Sequence, residues 1–122
     1  MENWTLIWTK LVELTDAEVR SLSDSLPGVY RLSYMHDNGN YYVFYVGQSE
    51  DVKKRLLEHR SSNEQNVCIK NFLSTKKCFF RYAKVSTKDI RDAAEKLMYK
   101  QYEPSCNEKE PAGRDDIKVN LT

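Results

Sequence analysis

The spacing of hydrophobic and polar positions predicts several short strands in the chain. The runs GVYRLSYM at 28–35 and YYVFYVG at 41–47 are rich in β-branched and aromatic residues, which favour strands. The Asn38-Gly39 pair between them favours a tight hairpin, so these two strands should pair antiparallel. A third strand is predicted for CFFRYAKV at 78–85.

Helical spacing accounts for much of the remaining chain. Four helices are predicted, over residues 16–25, 50–60, 64–73 and 88–102, the third more weakly than the others. A capping-box pattern starting at Thr15 opens the first helix, and Pro27-Gly28 ends it. Ser49 is the predicted cap of the second helix, with acidic residues in its first turn and basic ones in its last. Ser86-Thr87 caps the last helix, which Pro104 stops.

The length of 122 residues fits one domain with a real core. Strands and helices mix without a βαβ phosphate loop, which predicts an α+β fold with a small, mainly antiparallel three-stranded sheet flanked by helices. The central part, 28–107, is preceded by a helical N-terminal extension, 1–27, and followed by a tail, 108–122. In that tail EKEPAGRDD should be a polar loop, and IKVNL at 117–121 an edge strand or an ordered tail.

Composition indicates where in the cell the protein is located and whether its cysteines are reduced. No stretch approaches the roughly 20 apolar residues of a membrane span, and the N-terminus lacks a signal-peptide pattern. We therefore expect an intracellular protein, cytoplasmic or (in a eukaryote) nuclear, without a membrane partner. Cys68, Cys78 and Cys106 are odd in number and form no CxxC motif, so we interpret them as reduced, partly buried thiols.

The charge of the chain is concentrated in its middle. The net charge is +1, but residues 50–101 hold thirteen basic and seven acidic side chains and are flanked by two acidic segments. Such a basic centre can follow a phosphate backbone, although a solvated surface of mixed charge is an equal alternative. The candidate nucleic-acid contacts of this segment are Lys53, Lys54, Arg60, Lys70, Lys76 and Lys77.

The predicted hairpin brings two tyrosines together. If Asn38-Gly39 forms a two-residue turn, Tyr30 lies opposite Gly47 and Leu32 lies opposite Tyr45. Tyr30 and Tyr45 then become diagonal neighbours on one face of the sheet, where long side chains converge. Gly47 should leave an open patch of backbone beside Tyr30.

Two helices add charged groups near the tyrosines. Arg55 and His59 are one turn apart on the helix that follows the hairpin, and Glu95 lies at the margin of the apolar stripe of the last helix. Each residue also has an ordinary structural interpretation: a core tyrosine, a solvated arginine, or a glutamate paired with Arg91 or Lys96. Their combined order is more specific than any one of them.

In this order the residues resemble the GIY-YIG endonuclease family. Gly28-Val29-Tyr30 resembles the first signature of the family and Tyr45-Val46-Gly47 the second, each with valine in place of isoleucine. Arg55 lies at the position of the catalytic arginine, and His59 at a position where members carry histidine or tyrosine. The resemblance extends from Gly28 to Asn107.

The later part of the motif is also present, with two departures. Glu95 matches the single metal-binding glutamate, and Asn107 resembles the asparagine that closes the motif. Fifteen residues separate Tyr30 from Tyr45, somewhat more than is usual, which implies a longer hairpin. Gln48 stands where some members place a lysine, so a nucleic-acid contact there should be weaker.

The resemblance implies metal-dependent hydrolysis of a nucleic-acid phosphodiester. Glu95 would hold one divalent metal, Mg²⁺ or Mn²⁺. Tyr45 would help to remove a proton from the attacking water, with a pKa lowered by nearby positive charge, and Tyr30 would orient water or substrate. Arg55 would stabilise the charge of the transition state.

The remaining motif residues, and the partners, follow from the same resemblance. His59 would transfer a proton or position the nucleophile, and Asn107 would fix the site by hydrogen bonding. DNA is the expected substrate, with specificity supplied by loops, self-association or another protein. The alternatives are a non-catalytic nucleic-acid-binding module on the same fold and a protein-interaction domain. The N-terminal residues that would dock a partner, or simply pack, are Trp4, Leu6, Ile7 and Trp8.

Overall fold

The computed structural model describes residues 2–107, 111 and 117–120. Its strands are β1 (Glu2–Thr5), β2 (Val12–Glu13), β3 (Gly28–Met35), β4 (Tyr41–Ser49), β5 (Cys78–Lys84) and β6 (Ile117–Asn120). Its helices are α1 (Asp16–Arg20), α2 (Val52–Arg60), α3 (Val67–Thr75) and α4 (Lys88–Tyr102). The predicted α+β class is confirmed. The predicted loop at 108–116, apart from Pro111, lies outside the described residues.

The main sheet has four strands, in the order β2-β5-β3-β4, and every neighbouring pair is antiparallel. The predicted number, three, is therefore wrong. The additional strand, β2, pairs Val12 with Phe80 and Glu13 with Phe79, and two residues are too short to show an alternating pattern. A separate parallel pair joins β1 to β6. Of the two expectations for residues 117–121, an edge strand or an ordered tail, the strand is therefore confirmed over 117–120.

The segment before residue 28 is less helical than predicted. Besides α1 it contains β1, β2 and an isolated bridge from Trp8 to Ala83. The predicted cap is correct, because the Thr15 hydroxyl accepts a hydrogen bond from the Glu18 N–H at 3.2 Å. The helix nevertheless ends at Arg20, five residues early, since the following SLSDS is rich in residues that favour turns over helix.

The aromatic N-terminus divides between core and surface. Leu6 is buried, and Trp8 packs against the same core cluster. Ile7, by contrast, is 86% exposed and Trp4 45% exposed. The packing interpretation therefore holds for Leu6 and Trp8, and docking through Trp4 and Ile7 stays a prediction.

The hairpin between β3 and β4 differs from the predicted one at its tip. Its loop has three residues, since the His36 N–H donates to the Asn40 carbonyl at 2.8 Å, and Gly39 occupies the left-handed region at φ 85°. This shifts the register by one residue. A β-bulge then inserts Phe44 between the pairs Leu32–Tyr45 and Ser33–Val43 and restores the predicted register at the site.

Both faces of the main sheet are covered. One face packs α2 and α3 against a cluster that includes Leu32, Phe44, Leu56, Ile69 and Phe80. The other face carries α4 and the small parallel sheet, with the predicted α4 stripe facing the core. The members of the second cluster contributed by the sheet and α4 are Val29, Val46, Ala83, Ile90, Ala93, Ala94 and Met98. This double burial explains why the first six residues of β3 are all buried, including the polar Arg31 and Ser33.

The helix boundaries show which caps operate. Asp51, not Ser49, caps α2, because its carboxylate accepts the Lys54 N–H at 3.1 Å. Asp51 is the cap itself, so no acidic residue lies in the first turn of α2. The weaker helix begins at Val67, three residues later than predicted, with Asn66 as its cap. The bounds of α4 are those predicted, although Thr87 makes no side-chain capping bond.

The interpretation of all three cysteines as free thiols is wrong. Cys68 and Cys106 form a disulfide across 38 residues of sequence, with Cα atoms 5.3 Å apart. The bonding that brings them together is not visible in the sequence: the Cys106 N–H donates to the Phe44 carbonyl, and its carbonyl accepts from the Asn66 amide. Cys78 is free and buried.

Candidate active site

The two signature tyrosines converge as predicted. Tyr30 on β3 and Tyr45 on β4 have ring centroids 6.2 Å apart. The His59 ring lies 5.8 Å from the first and 5.2 Å from the second. The bulge at Phe44 contributes to this arrangement, because it turns the consecutive Phe44 and Tyr45 side chains toward the same cluster, where strict alternation would separate them.

Gly47 lies under the Tyr30 ring and does not leave open backbone. A Cβ atom at Gly47 would lie 2.6 Å from both Cζ and the hydroxyl oxygen of Tyr30. The expectation of an open patch is therefore wrong, since the opposite strand residue fills it. Gly47, the glycine of the second signature, is needed because the ring of Tyr30, the tyrosine of the first, occupies the space that a side chain at position 47 would fill.

A chain of buried hydrogen bonds leads away from Tyr30. The Tyr30 hydroxyl is hydrogen-bonded to His59 Nε2 at 2.8 Å, and His59 Nδ1 is hydrogen-bonded to the Glu64 carboxylate at 2.8 Å. The second Glu64 oxygen accepts the Asn66 N–H at 2.9 Å. Tyr30 and His59 are each 1% exposed and Glu64 is 8% exposed, so these bonds are shielded from water.

Beside this chain a pocket of about 390 Å³ opens to solvent. It brings together Tyr45, Arg55, Glu95 and Asn107, which come from β4, α2, α4 and the segment after α4. The other lining residues are Glu64, Gln65, Asn66 and Pro111. Four of the six predicted site residues thus line one cavity, and the other two, Tyr30 and His59, are buried behind it.

Burial sets the protonation of the aromatic groups. It raises the pKa of Tyr30 well above its usual value, and it raises the pKa of Tyr45 as well, with the Arg55 charge opposing both shifts. Burial also lowers the pKa of His59; the Arg55 charge adds to that shift, while Glu64 opposes it. The expected lowering of the Tyr45 pKa is therefore wrong for the protein alone. Both phenols are neutral at pH 7, and the imidazole is neutral as well.

Glu95 is one of two carboxylates that line the pocket; the other, Glu64, is hydrogen-bonded to His59 and Asn66. Burial, together with the nearby Asp92 charge, raises the pKa of Glu95 to about 7, while Lys88 and a backbone hydrogen bond from Gln48 act in the opposite direction. Within the described residues, no group of three or more His, Cys, Asp or Glu side chains gathers around a common point. Because both Glu64 oxygens are already hydrogen-bonded, a hard cation at Glu95 would have that one carboxylate and would need water and phosphate oxygens as further ligands, which suits Mg²⁺ or Mn²⁺.

Asn107 is fixed against the edge of the sheet. Its side-chain oxygen accepts the Val46 N–H and its amide donates to the Val46 carbonyl, both at 2.9 Å. Because β4 is an edge strand, Asn107 takes the place of a further strand at this position. The side chain therefore fixes the segment after α4 at the mouth of the pocket.

Gln48 makes its contacts within the protein. Its amide donates to Asp92 at 3.1 Å, and its carbonyl accepts from Arg91 at 3.1 Å. The buried Arg91 also donates to the carbonyls of Val85 and Ser86 at 3.1 and 2.9 Å. These bonds attach the first turns of α4, and hence Glu95, to the end of β4.

The predicted basic contacts do not form one surface. Lys53 pairs with Asp24 at 3.0 Å, and Arg60 pairs with Asp16 at 2.7 Å. Lys70 is exposed beside His59 and Arg60 in a neighbouring cavity of about 350 Å³. Lys54 lines a separate groove along α2 with Lys53 and Asp24. The exposed Lys76 and Lys77 precede β5, at the hairpin-tip end of the sheet, away from Gly47.

Two residues of the site, the buried Glu64 and the half-buried Asn66, escaped the sequence analysis. Glu64 and Asn66 lie in a polar segment between α2 and α3, where a single carboxylate and an amide form no recognisable pattern. The one available signal was the capping preference of Asn66, which would have started the third helix at the correct residue. Glu64 could be recognised only from the fold.

Comparisons with known proteins agree with this geometry. A scan against protein-family models finds no match. Over 102 residues the chain is 31% identical to UvrABC system protein C of Rickettsia rickettsii and to that of Rickettsia africae. These matches cover 84% of this chain but only 14% of each relative. In the described part of the chain, no helix is long and apolar enough to cross a membrane.

Solved structures of one domain share the fold. They are of the GIY-YIG N-terminal endonuclease domain of UvrC from Thermotoga maritima, in point mutants bound to the catalytic divalent cation. A tyrosine-to-phenylalanine mutant has a TM-score of 0.56 at 17% identity, over 75% of this chain and 97% of that chain. An asparagine-to-alanine mutant has a TM-score of 0.53 at 17% identity, with the same coverage. The shared fold, the sequence match and the ordered signature residues together confirm the resemblance of this chain to the GIY-YIG endonuclease family.

Proposed function

We propose that this chain is a metal-dependent endonuclease that hydrolyses DNA phosphodiester bonds. The observation that carries the proposal is the pocket of about 390 Å³, in which Tyr45, Arg55, Glu95 and Asn107 meet from four separate segments. A structural role would not require a guanidinium, a phenol and a half-buried carboxylate to line one cavity that is open to solvent. The chain spans 14% of the length of the matched relatives, so the proposal does not extend to their activity as whole proteins.

Arg55 is the group that meets the phosphate. It lines the pocket beside Tyr45, and its charge acts on both tyrosines and on His59. A fixed guanidinium in a partly dry site stabilises the extra negative charge that phosphoryl transfer develops on the non-bridging oxygens. Arg55 therefore binds the substrate phosphate and favours the transition state over the ground state.

Tyr45 and Tyr30 have different positions and therefore different tasks. Tyr45 lines the pocket, so its hydroxyl contacts the attacking water; it would take a proton from that water only as the phenolate, which burial opposes, Arg55 favours and a cation held by Glu95 would favour further. Tyr30 is buried behind it and orients the water from the side of the sheet. His59 receives the Tyr30 hydrogen bond and positions it.

Glu95 would hold one divalent cation, Mg²⁺ or Mn²⁺. The residues present fit such an ion: Glu95 is a half-buried carboxylate whose pKa is raised by burial and by the nearby Asp92 charge, in a pocket with room for water and phosphate. When bound, the ion neutralises charge on the phosphate and the leaving oxygen. Gln48, Arg91 and Asp92 fix the helix that carries Glu95, which makes Gln48 a positioning residue in this proposal.

The basic residues beside the site would guide the DNA. Lys70 is exposed next to His59, and Arg60 lines the same cavity. Lys53, Lys54, Lys76 and Lys77 would contact phosphates further along the strand or support non-specific binding. Sequence preference would come from loops, self-association or another protein, and the protein would act inside the cell.

Cleavage of labelled single-stranded, duplex and branched DNA, with Mg²⁺ or Mn²⁺, tests the proposal. We expect Glu95→Gln and Arg55→Lys each to lower kcat by about 100-fold or more, because each removes a charge or a geometry used in the transition state. Glu58→Gln, which removes a carboxylate from the exposed side of α2, is the matched control and should retain activity. Undiminished cleavage by both site variants would refute the proposal.

The same experiment addresses the non-catalytic alternative. If the wild type binds DNA with a salt-dependent affinity but cuts none of the substrates at any metal concentration, the chain is a binding module on a nuclease fold. If it neither binds nor cuts nucleic acid, the exposed Trp4 and Ile7 make protein interaction the next hypothesis to test.

A further inference from the structure

A buried carboxylate outside the recognised motif ends the hydrogen-bond chain that starts at Tyr30. Glu64 uses both of its oxygens: one accepts the Asn66 N–H at 2.9 Å and the other faces His59 Nδ1 at 2.8 Å. The backbone N–H can only donate, so the first oxygen is necessarily an acceptor. The side chain of Glu64 is 4% exposed, which leaves this geometry little freedom.

The carboxylate determines which nitrogen of His59 carries the proton. A carboxylate facing Nδ1 requires a proton on that nitrogen, and in the neutral imidazole Nε2 is then a lone-pair acceptor. Nε2 is 2.8 Å from the Tyr30 hydroxyl. Tyr30 must therefore donate its proton to His59, and its oxygen lone pairs remain available to accept hydrogen bonds on the other side.

We propose that Glu64 is a positioning residue of the active site, which fixes the His59 tautomer so that Tyr30 is held as a hydrogen-bond acceptor toward the reaction pocket. The inference rests on the proposed nuclease function and adds a residue to it. Glu64 lines the same pocket as Arg55 and Glu95. No other described residue is recorded as bonding to His59 Nδ1.

Glutamine at this position would reverse the chain of bonds. Glu64→Gln has the same shape but only one acceptor oxygen, and Asn66 and His59 both require one. With its oxygen on the Asn66 N–H, its amide would donate to Nδ1 and move the imidazole proton to Nε2. His59 would then donate to Tyr30, and the Tyr30 hydroxyl proton would point toward the pocket, where an acceptor is needed.

The test combines cleavage kinetics with the tautomer of His59. For Glu64→Gln we expect kcat to fall about 10- to 100-fold with KM within twofold of the wild type, as for other residues that orient a catalytic group. The control Glu58→Gln makes the same charge change on the exposed side of α2 and should stay within twofold. In ¹⁵N–¹H spectra of the imidazole, the wild type should show the Nδ1–H tautomer and Glu64→Gln the Nε2–H tautomer.

A double-mutant cycle separates this role from simple destabilisation. If Glu64 acts through His59 and Tyr30, adding Glu64→Gln to Tyr30→Phe should lower kcat by less than about threefold. Equal losses in both backgrounds, an unchanged kcat in Glu64→Gln, or the same tautomer in both proteins would each overturn the inference. If the wild type cleaves nothing, the proposed function and this role in it both fail, and the spectra alone decide whether Glu64 sets the bond direction.

Discussion

At the scale of single residues, the site depends on a glycine, Gly47, that has no catalytic group itself. The Tyr30 ring crosses above Gly47, and the space left by the missing side chain determines how deeply Tyr30 can enter the sheet. That depth in turn places the Tyr30 hydroxyl at hydrogen-bonding distance from His59. The second signature thus serves two purposes, since Tyr45 contributes a phenol and Gly47 contributes room for another.

Gly47→Ala should therefore lower activity more than a surface glycine change. Its Cβ would meet Tyr30 at 2.6 Å, so the ring or strand must shift, at a cost of about 1–3 kcal/mol in the free energy of unfolding. We also expect cleavage to fall at least tenfold, because the Tyr30–His59 bond is broken. The control is Gly39→Asn, where the space is open and asparagine tolerates the positive φ. Full activity in Gly47→Ala, measured beside thermal unfolding, would contradict this account.

At the scale of elements, the sequence predicted the site better than its surroundings. The pairs Tyr30–Gly47 and Leu32–Tyr45 were predicted correctly although the loop length was wrong, because the bulge at Phe44 compensates the longer loop. The hydrophobic pattern and the turn preferences of a sequence predict strand interiors well, but they contain almost no signal for a bulge. Five of the six proposed site residues lie in such interiors or on regular helices; Asn107, in the segment after α4, was named from the family resemblance alone.

The elements that were missed depend on contacts between distant segments. Strand β2 has two residues and exists only by pairing with β5, and the disulfide needs the segment after α4 to reach α3. Glu64 has a function only because α2 places His59 above it. None of these features has a local signal, since each is created by tertiary packing.

The junction of β4 and α4 allows a prediction about Gln48. If Gln48 holds α4 in place through Arg91 and Asp92, Gln48→Ala should raise the half-saturating Mg²⁺ concentration for cleavage about tenfold. KM for DNA should change less than twofold. Lys70→Ala, which removes an exposed cation beside the site, should show the reverse pattern. A raised KM with unchanged metal dependence would make Gln48 a DNA contact instead.

At the scale of the whole molecule, the disulfide joins α3 to the segment that follows α4. Cys106 directly precedes Asn107, so the bond to Cys68 helps to hold that asparagine on Val46. Reduction should lower the free energy of unfolding by about 2–4 kcal/mol, mainly by releasing a long loop in the unfolded chain. Melting temperatures with and without dithiothreitol measure this.

The controls for that prediction use the other cysteines. Cys106→Ser should melt at the same temperature with and without dithiothreitol, because its disulfide is already absent. Cys78→Ala should keep the full effect of the reductant, since burial raises the pKa of the Cys78 thiol to about 11 and leaves it unreactive. An unchanged melting temperature for the reduced wild type would show that the disulfide does not stabilise the fold.

The stability of the metal-free protein should fall as the pH rises, and Glu95 should be one cause. Its pKa is about 7 in the folded chain against a reference of 4.5, so between those values the folded state keeps a proton that the unfolded state has lost. Full burial would make such a shift worth about 3 kcal/mol, and we expect about 1–2 kcal/mol because Glu95 is only partly buried and solvent screens its charge.

Denaturant unfolding in EDTA at pH 5 and pH 8 measures this, with Glu95→Gln as the comparison. The wild type should lose more stability than the variant between the two values, because the variant has no proton to lose at this position. Mg²⁺ should restore stability at pH 8 and have little effect at pH 5, where a proton occupies the carboxyl group. Parallel profiles for the two proteins would mean that Glu95 is well solvated, and its assignment as the cation ligand would then lose its electrostatic support.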